Sequence, residues 1–218
     1  MTIDLREIKS LWIGGINKNR ESRISSLFDN LGYNHRKVEA ILSNGFNGNT
    51  QSTKKAIKEA LEYNEPVAIF EDDANITQHY KNEIDIPDDA DAVWIGTSVF
   101  GLVDNWESMS LLDGIYLTKP TMVGEYNDFY KVENMLSLHA VVFITTKYKQ
   151  CMFNYLEYLT NNRTAPDIVT AATMKDFNIY ACKKPMFFQD DNAHNSSPTL
   201  IPLDSIFKNE ESIILHAE

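Results

Sequence analysis

The sequence predicts a doubly wound α/β fold. Over residues 1–100, short apolar segments of strand length alternate with amphipathic segments of helical period. This order favours a sheet with helices on both of its faces. No Pro-, Gly- or Ser-rich linker divides the 218 residues, so we expect one domain over 1–218.

Each element of the first half has its own signal. The strands are short aliphatic or aromatic runs, and the helices repeat apolar residues at intervals of three and four. Gly32 is a C-terminal stop for the first helix, and Pro66 ends the second. The predicted elements are a strand over Ser10–Ile16, a helix from about Arg20, a Gly- and Asn-rich loop over Asn44–Asn49, a helix over about Ser52–Tyr63, and strands over Val67–Phe70 and Ala92–Ile95.

The second half is more mixed. Asp104–Asn127 is rich in turn residues and lacks clear periodicity. The clearest helix of the chain has an apolar stripe from Tyr148 to Leu159. Thr164–Asp167 has the pattern of a capped helix start with an early proline. The predicted strands are Phe129–Val132, Leu138–Ile144, Ile179–Ala181 and Met186–Phe188.

The charge excludes some classes of partner. The chain has 20 Lys and Arg against 31 Asp and Glu, a net charge of -11. Non-specific nucleic-acid binding depends on basic contacts to phosphate, so it is disfavoured, as is an anionic membrane surface. No apolar run is long enough to span a bilayer or to act as a signal peptide. With only Cys151 and Cys182, no disulfide framework is expected, and we predict a cytoplasmic location.

Three consecutive carboxylates, Glu71, Asp72 and Asp73, follow the strand over Val67–Phe70. Burying adjacent like charges is costly, so we expect this strand end at an open edge of the sheet. In open α/β sheets, ligands bind at the carboxyl ends of the strands. Carboxylate oxygens there suit Mg²⁺ or Mn²⁺ bound together with substrate phosphates. The alternative is an acidic turn that binds nothing.

A basic segment at the start of the first helix is a candidate phosphate site. It contains Ile16, Asn17, Arg20 and Arg23. Helix N-termini and arginine side chains both favour phosphate, although the two arginines also suit a solvated helix face. The chain has neither the Gly-x-Gly-x-x-Gly nor the Gly-x-x-x-x-Gly-Lys-Ser/Thr motif, so dinucleotide and P-loop sites are disfavoured.

Further candidates lie in the second half. Asp190, Asp191 and His194 supply possible metal ligands or a general base, unless they form a polar surface loop. Asp167 is a separate candidate base, although an acid in the first turn of a helix also stabilises the helix dipole. His139 lies within a strand pattern and is predicted to be a core histidine.

Taken together, these segments resemble the family 25 glycosyltransferases, which include lipopolysaccharide and collagen galactosyltransferases. The similarity is dispersed over most of the chain, and the acidic triplet and the Gly- and Asn-rich segment are its most specific parts. The similar segments are Ile16–Asn17 with Arg20 and Arg23, Gly45–Ser52 leading into Ala56–Glu62, Glu71–Asp73, Leu138–Ile144, Pro166–Asp167 and Pro185–Ser196.

The resemblance implies a GT-A-like, Rossmann-like fold, a three-layer α/β/α sandwich with a mixed, mostly parallel central sheet. It implies a nucleotide-sugar-binding half over about 1–100 and an acceptor-side half over about 101–218. The implied reaction is transfer of a hexose from UDP-galactose or UDP-glucose, with inversion. The implied acceptor is a hydroxyl of a glycan, a lipid-linked saccharide or another molecule.

The resemblance also implies roles for the site residues. Mn²⁺ or Mg²⁺ is the implied cofactor, with Asp73 as direct ligand and Asp72 and His194 as further ligands. Glu71 and Asp72 would hold ribose, the donor sugar or metal-bound water, and Ser52 lies in the donor-side segment. The candidates for the general base are Asp167, Asp190 and Asp191.

Two positions depart from the family pattern. The family's helix-entry histidine is Thr53 here, and the usual cysteine of that segment is Asn49. These departures affect donor choice and the contacts of this segment more than catalysis. Two other classes stay open: a nucleotidyltransferase, and a catalytically inactive nucleotide- or glycan-binding module. A transferase acting on modified DNA is disfavoured by the net charge of -11.

Overall fold

The structure is a computed structural model that describes residues 1–43, 46–102, 117–159, 165–190 and 199–208. In this part of the chain the strands are β1 (Thr2–Asp4), β2 (Lys9–Gly14), β3 (Asn34–Glu39), β4 (Val67–Glu71), β5 (Ala74–Ile76), β6 (Glu83–Asp85), β7 (Ala92–Trp94), β8 (Gly101–Leu102), β9 (Leu117–Thr118), β10 (Thr121–Tyr126), β11 (Phe129–Glu133), β12 (Ala140–Phe143), β13 (Ile179–Cys182) and β14 (Phe187–Gln189). The helices are α1 (Lys18–Leu31), α2 (Phe46–Ala60), α3 (Thr146–Leu159), α4 (Pro166–Thr173) and α5 (Asp204–Phe207). None of these described helices has the length and apolar character needed to cross a membrane.

Within the described residues, the largest sheet has eight strands in the order β10-β11-β13-β7-β12-β4-β2-β3. Strand β2 is parallel to β3 and β4, and β7 is parallel to β13. The other neighbouring pairs are antiparallel, so β11 and β12 run against the remaining strands of this sheet. The predicted mixed, mostly parallel sheet is confirmed. Strand β12, from the second half of the chain, lies between β4 and β7, from the first, so both halves build one sheet.

Different elements cover the two faces of this sheet, because successive side chains of a strand point to opposite faces. Leu11 and Ile13 of β2 pack with buried side chains of α2, α3 and α4. Trp12, between them, packs with Ile24 and Phe28 of α1 on the other face. The small sheets β1–β6 and β5–β14 cover the same face as α1. The predicted arrangement of three layers is therefore confirmed.

Helix α1 starts at Lys18, two residues before the predicted start near Arg20, and it ends just before the predicted stop, Gly32. The Asn17 side chain caps the helix by accepting hydrogen bonds from the backbone N–H groups of Asn19 and Arg20, at 3.0 and 3.2 Å. Gly32 follows the last turn with φ of 74°, in the left-handed region that favours glycine. These caps begin α1 four residues after β2 ends, which brings Arg20 close to the carboxyl edge of the sheet.

Helix α2 starts earlier than predicted. It begins at Phe46 rather than near Ser52, so much of the predicted Gly- and Asn-rich loop is helical. A Cβ at Gly48 would lie 2.8 Å from the Ile41 carbonyl oxygen and 3.0 Å from that of Ser43. The glycine therefore permits a close approach of backbone to helix, whereas the sequence suggested a turn.

Strands β3 and β10 were not predicted. Val38 is the one buried residue of β3, and β10 has no buried residue. Strand β10 also lies in the segment that was expected to be irregular. Both strands form edges of the large sheet, where one side of the strand faces solvent and little apolar surface is covered. Their alternation of apolar and polar residues is correspondingly weak.

A buried lysine holds α3 against the end of α2. Lys149 Nζ donates to the carbonyl oxygens of Ala60, Tyr63 and Glu65, at 3.3, 2.6 and 3.1 Å. The last carbonyls of a helix lack partners within the helix, and a positive charge there interacts favourably with the helix dipole. Burial lowers the pKa of Lys149.

We predict that Lys149→Met lowers the free energy of unfolding by about 2–4 kcal/mol, because three carbonyl groups lose their shared donor. Urea denaturation followed by circular dichroism measures the change. The control, Lys58→Met at an exposed position of α2, should change stability by less than about 0.5 kcal/mol. A loss below about 1 kcal/mol for Lys149→Met would contradict the role given to the lysine.

Candidate active site

The acidic triplet lies where the buried strand β4 reaches the edge of the sheet. Glu71 is the last residue of β4 and pairs with Ile13 of the parallel strand β2. Asp72 and Asp73 form the turn that leads into β5. Because β2, β3 and β4 are parallel, their carboxyl ends meet at this edge, as the sequence predicts for a ligand site.

A cleft of about 700 Å³ opens beside the triplet, within the usual size range for small-molecule sites. The ends of β2, β3 and β4 and the start of α2 form its walls. Its lining residues are Ile13, Gly14, Ile16, Arg20, Ala40, Ile41, Leu42, Ser43, Gly48, Asn49, Ser52, Glu71, Asp72, Asp73 and Gln189.

Arg20 places a positive charge beside the triplet. Its Nη1 lies 3.4 Å from Asp73 Oδ2 and 3.7 Å from Asp72 Oδ1. Asp73 is buried, with 7% of its surface exposed, so its charge is costly without such a neighbour. Burial raises the pKa of Asp72, and the nearby Arg20 opposes that rise.

Asp190 ties the end of β14 to the triplet and to α1. Its Oδ2 accepts hydrogen bonds from Arg23 Nη1 at 2.8 Å and from Asn75 Nδ2 at 3.2 Å. Its backbone N–H donates to the carbonyl oxygen of Asp73 at 2.8 Å. Asp190 and Arg23 therefore contact each other, and these contacts help to fix the turn that carries Asp73.

Glu71 lies between the large cleft and a smaller one of about 200 Å³, which Asp167 also lines. Gln189 Nε2 donates to Glu71 Oε2 at 3.1 Å. Burial, together with the negative charges of Asp73, Asp167 and Asp72, raises the pKa of Glu71 to about 8. Glu71 is thus a carboxyl group that holds its proton near neutral pH.

Asp167 lies at the start of α4, directly after Pro166. Burial raises the pKa of Asp167 above its ordinary value, and a hydrogen bond from the Ile168 backbone N–H to its Oδ1, at 3.0 Å, opposes the rise. A carboxylate with a raised pKa is a stronger base than one with an ordinary pKa. The residue before the proline, Ala165, is the N-cap and makes no side-chain cap bond, so the predicted capping box is not formed by the described residues.

The structure brings most of the predicted site residues together. The large cleft is lined by Ile16, Arg20, Ser52, Glu71, Asp72 and Asp73. Asn17 caps the helix beside it, Arg23 and Asp190 form an ion pair next to the triplet, and Asp167 lines the smaller cleft. Asp191 and His194 lie outside the described residues.

Two of the predicted residues, Ser52 and Ile16, line the cleft without a hydrogen bond to its acids in the described structure. The Ser52 hydroxyl donates to the Gly48 carbonyl at 2.6 Å and accepts from the Ile41 backbone N–H at 2.8 Å, so it stabilises the start of α2. Ile16 is 74% exposed at the mouth of the cleft. His139 is buried, as predicted, and burial lowers its pKa to about 4.

Gln189 and Asn75 belong to the site but were not among its predicted residues. Gln189 contacts Glu71, and Asn75 contacts Asp190. Both contacts depend on the pairing of β5 with β14, in which Gln189 lies opposite Ala74. These strands are more than a hundred residues apart in sequence, and no local pattern signals that they pair.

The donor set is suited to a hard divalent ion. Asp72 and Asp73 offer carboxylate oxygens, and Mg²⁺ or Mn²⁺ is commonly bound by one or two carboxylates together with water and substrate phosphates. Among the described residues, no group of three or more His, Cys, Asp or Glu side chains is arranged to hold an ion. The described part of the site would offer such an ion the carboxylates of Asp72 and Asp73.

No protein-family model and no curated protein matches this chain. It is similar to a nucleoside-diphosphate-sugar pyrophosphorylase from Vibrio cholerae RC9 (14% identity, TM-score 0.42, covering 82% of this chain and 73% of that chain). It is also similar to the CTP:phosphocholine cytidylyltransferase of Streptococcus pneumoniae (11% identity, TM-score 0.45, 84% and 92%). A further similar structure is a glycosyltransferase involved in glycosylation of the major capsid of PBCV-1 (10% identity, TM-score 0.39, 80% and 93%).

With TM-scores below 0.5, these likenesses identify neither the family nor the activity of this chain. Membership of family 25 therefore stays a prediction. The chain itself has an α/β sheet with an acidic cleft at the carboxyl ends of its parallel strands β2, β3 and β4.

The raised pKa of Glu71 predicts how stability depends on pH. Between its ordinary value of 4.5 and about 8, the folded protein holds a proton that the unfolded chain releases. Stability from this group is therefore present below about pH 4.5 and is lost as the pH rises to about 8. Glutamine resembles the protonated form of Glu71. We therefore predict that the free energy of unfolding of Glu71→Gln, relative to that of wild type, rises by about 1–2 kcal/mol from pH 5 to pH 8.5.

Urea denaturation in EDTA at several pH values measures this change. Glu62→Gln, at an exposed position, is the matched control and should follow the wild-type pH dependence. If Glu71→Gln also follows the wild-type dependence, Glu71 does not hold a proton at neutral pH.

Proposed function

We propose that this protein is a metal-dependent glycosyltransferase that moves a hexose from UDP-galactose or UDP-glucose to an acceptor hydroxyl. The observation that carries the proposal is the grouping of Glu71, Asp72, Asp73 and Arg20 in a cleft of about 700 Å³. Acids that can share a divalent ion with a diphosphate, beside an arginine, suit a nucleotide-sugar donor. The acceptor would be a glycan, a lipid-linked saccharide or another hydroxyl compound.

Asp72 and Asp73 would hold Mn²⁺ or Mg²⁺. A bound ion of this kind neutralises negative charge that develops on a departing nucleoside diphosphate. Arg20, which contacts both carboxylates, would add a hydrogen-bond donor for the diphosphate. Ile16 and Asn17 would lie on the donor side with it. Through a shared cation, an acidic protein can hold a polyanionic donor.

Asp167 is our choice for the general base. It is half-buried, its pKa is raised, and it lines a cleft that meets the large one at Glu71. Asp190 suits the role less, because Arg23 and Asn75 both donate to its carboxylate. Protonated Glu71, between the two clefts, would donate a hydrogen bond to a sugar hydroxyl. The proposed transfer inverts the configuration of the hexose at its anomeric carbon, as the resemblance to family 25 implies.

We predict that Asp73→Asn lowers Mn²⁺-dependent release of UDP from a UDP-hexose by at least about 100-fold, because the variant loses a carboxylate that would hold the cation. Release of UDP is measured without acceptor and with a panel of saccharide acceptors. Asp176→Asn, at an exposed position far along the sequence from the triplet, is the control and should keep wild-type activity.

Three outcomes would contradict the proposal. Equal activity in Asp73→Asn and wild type would remove Asp73 from the site. Release of pyrophosphate from a nucleoside triphosphate, without hexose transfer, would assign the cleft to a nucleotidyltransferase. Tight UDP binding with no turnover over a broad acceptor panel would favour a binding module.

A further inference from the structure

A second cleft, of about 410 Å³, lies at the carboxyl end of β13, on the face of the sheet that α1 covers. Its floor is apolar and buried, and it is formed by Phe129, Cys182 and Met186. The lysines that line it in the described structure are Lys81, Lys183, Lys184 and Lys208. A basic rim above an apolar floor is unexpected in a chain whose net charge is -11.

The lysines of this basic cleft outnumber the acids that line it. Asp128 and Asp204 are the carboxylates among its described lining residues, so four ammonium groups face two carboxylates. The hydrogen bond from Lys81 lowers the pKa of Asp128, and Lys183 and Lys184 lower it further. Lys81, Lys183 and Lys184 therefore all act on one part of the rim, next to Asp128.

Two of the lysines can turn to a ligand at little cost. Lys81 Nζ lies 2.6 Å from Asp128 Oδ2, but these side chains are 46% and 71% exposed. Exposed ion pairs of this kind contribute only about 0–1 kcal/mol, so an anion can compete for the lysine. Lys184 is exposed and has no hydrogen bond or ion pair within the described part of the chain.

A third lysine is held in place at the rim. Lys183 forms an ion pair with Glu125, and its Nζ lies 5.1 Å from the centre of the Tyr130 ring. Tyr130 itself donates a hydrogen bond to Asp204 at 2.5 Å. Lys208 likewise forms an ion pair with Asp204, at 3.1 Å. The cleft thus combines two lysines that are paired with acids and two adaptable cations, which is a suitable arrangement for recognising a charged group.

We propose that the basic cleft binds the phosphoryl group of a small, soluble phosphate ester or diphosphate. Lysine ammonium groups are common phosphate ligands, and the low-dielectric floor strengthens their attraction. The apolar floor would pack against the carbon part of the ligand. A soluble ester is favoured over an anionic bilayer, because a net charge of -11 repels such a surface.

The small sheet β5–β14 lies between the basic cleft and the acidic one. Met186 lines the basic cleft and Gln189 the acidic cleft, and three residues of extended strand span only about 10 Å. If the proposed sugar transfer is correct, a phosphate-bearing acceptor held at the basic cleft could reach the donor. Phosphate binding itself does not depend on that activity.

Calorimetric titration of the whole chain with pyrophosphate, and separately with glucose 1-phosphate, tests the site at low ionic strength. EDTA is present, so that the acidic cleft cannot bind these ligands through a cation. We expect saturable binding that the double variant Lys81→Ala/Lys184→Ala weakens by about tenfold or more. The double variant Lys58→Ala/Lys175→Ala removes two exposed lysines elsewhere and should stay within about twofold of wild type.

Because this binding is measured in EDTA, it does not depend on a cation in the acidic cleft, and it should persist even if the proposed transferase activity fails. Absence of binding to wild type, or equal weakening in both double variants, would overturn the basic cleft as a phosphate site. Sedimentation with vesicles of phosphatidylcholine and phosphatidic acid tests the source of the phosphate. Retention of wild type that Lys81→Ala/Lys184→Ala abolishes would overturn the choice of a soluble ester.

Discussion

Three consecutive carboxyl groups, those of Glu71, Asp72 and Asp73, lie at the end of the buried strand β4, and the surrounding contacts limit the repulsion between them. Arg20 lies within 4 Å of both Asp72 and Asp73 and offsets part of their charge. Glu71 instead contacts Gln189, and its pKa rises to about 8, so it stays protonated near neutral pH. The positive charge of Arg20 and the proton retained by Glu71 together reduce the repulsion between the carboxyl groups at this strand end.

The small sheet β5–β14 helps to hold the three carboxyl groups in place. Its strands begin or end beside the triplet, and the backbone of Asp190 donates to the Asp73 carbonyl. Arg23 then connects this corner to α1 through the Asp190 carboxylate. At its other end the sheet meets the basic cleft. A chain that is acidic as a whole therefore separates its charges, with acids at one cleft and lysines at another.

The sequence predicts those features that depend on neighbouring residues. The Gly32 stop and the acidic end of β4 are local signals, and each is where it was expected. The contacts that complete the site are not local: Glu71 with Gln189 spans 118 residues, and Arg23 with Asp190 spans 167. Edge strands such as β3 were missed because they bury too little apolar surface to show a period.

Calorimetric titration of the whole chain with UDP, in EDTA and then in Mn²⁺, tests most directly whether the triplet serves a nucleotide and a cation together. We predict that UDP binds at least about tenfold more tightly in Mn²⁺ than in EDTA, because an ion held by Asp72 and Asp73 would also bind the diphosphate. The same affinity in both conditions, or no binding in either, would contradict this role for the acidic cleft.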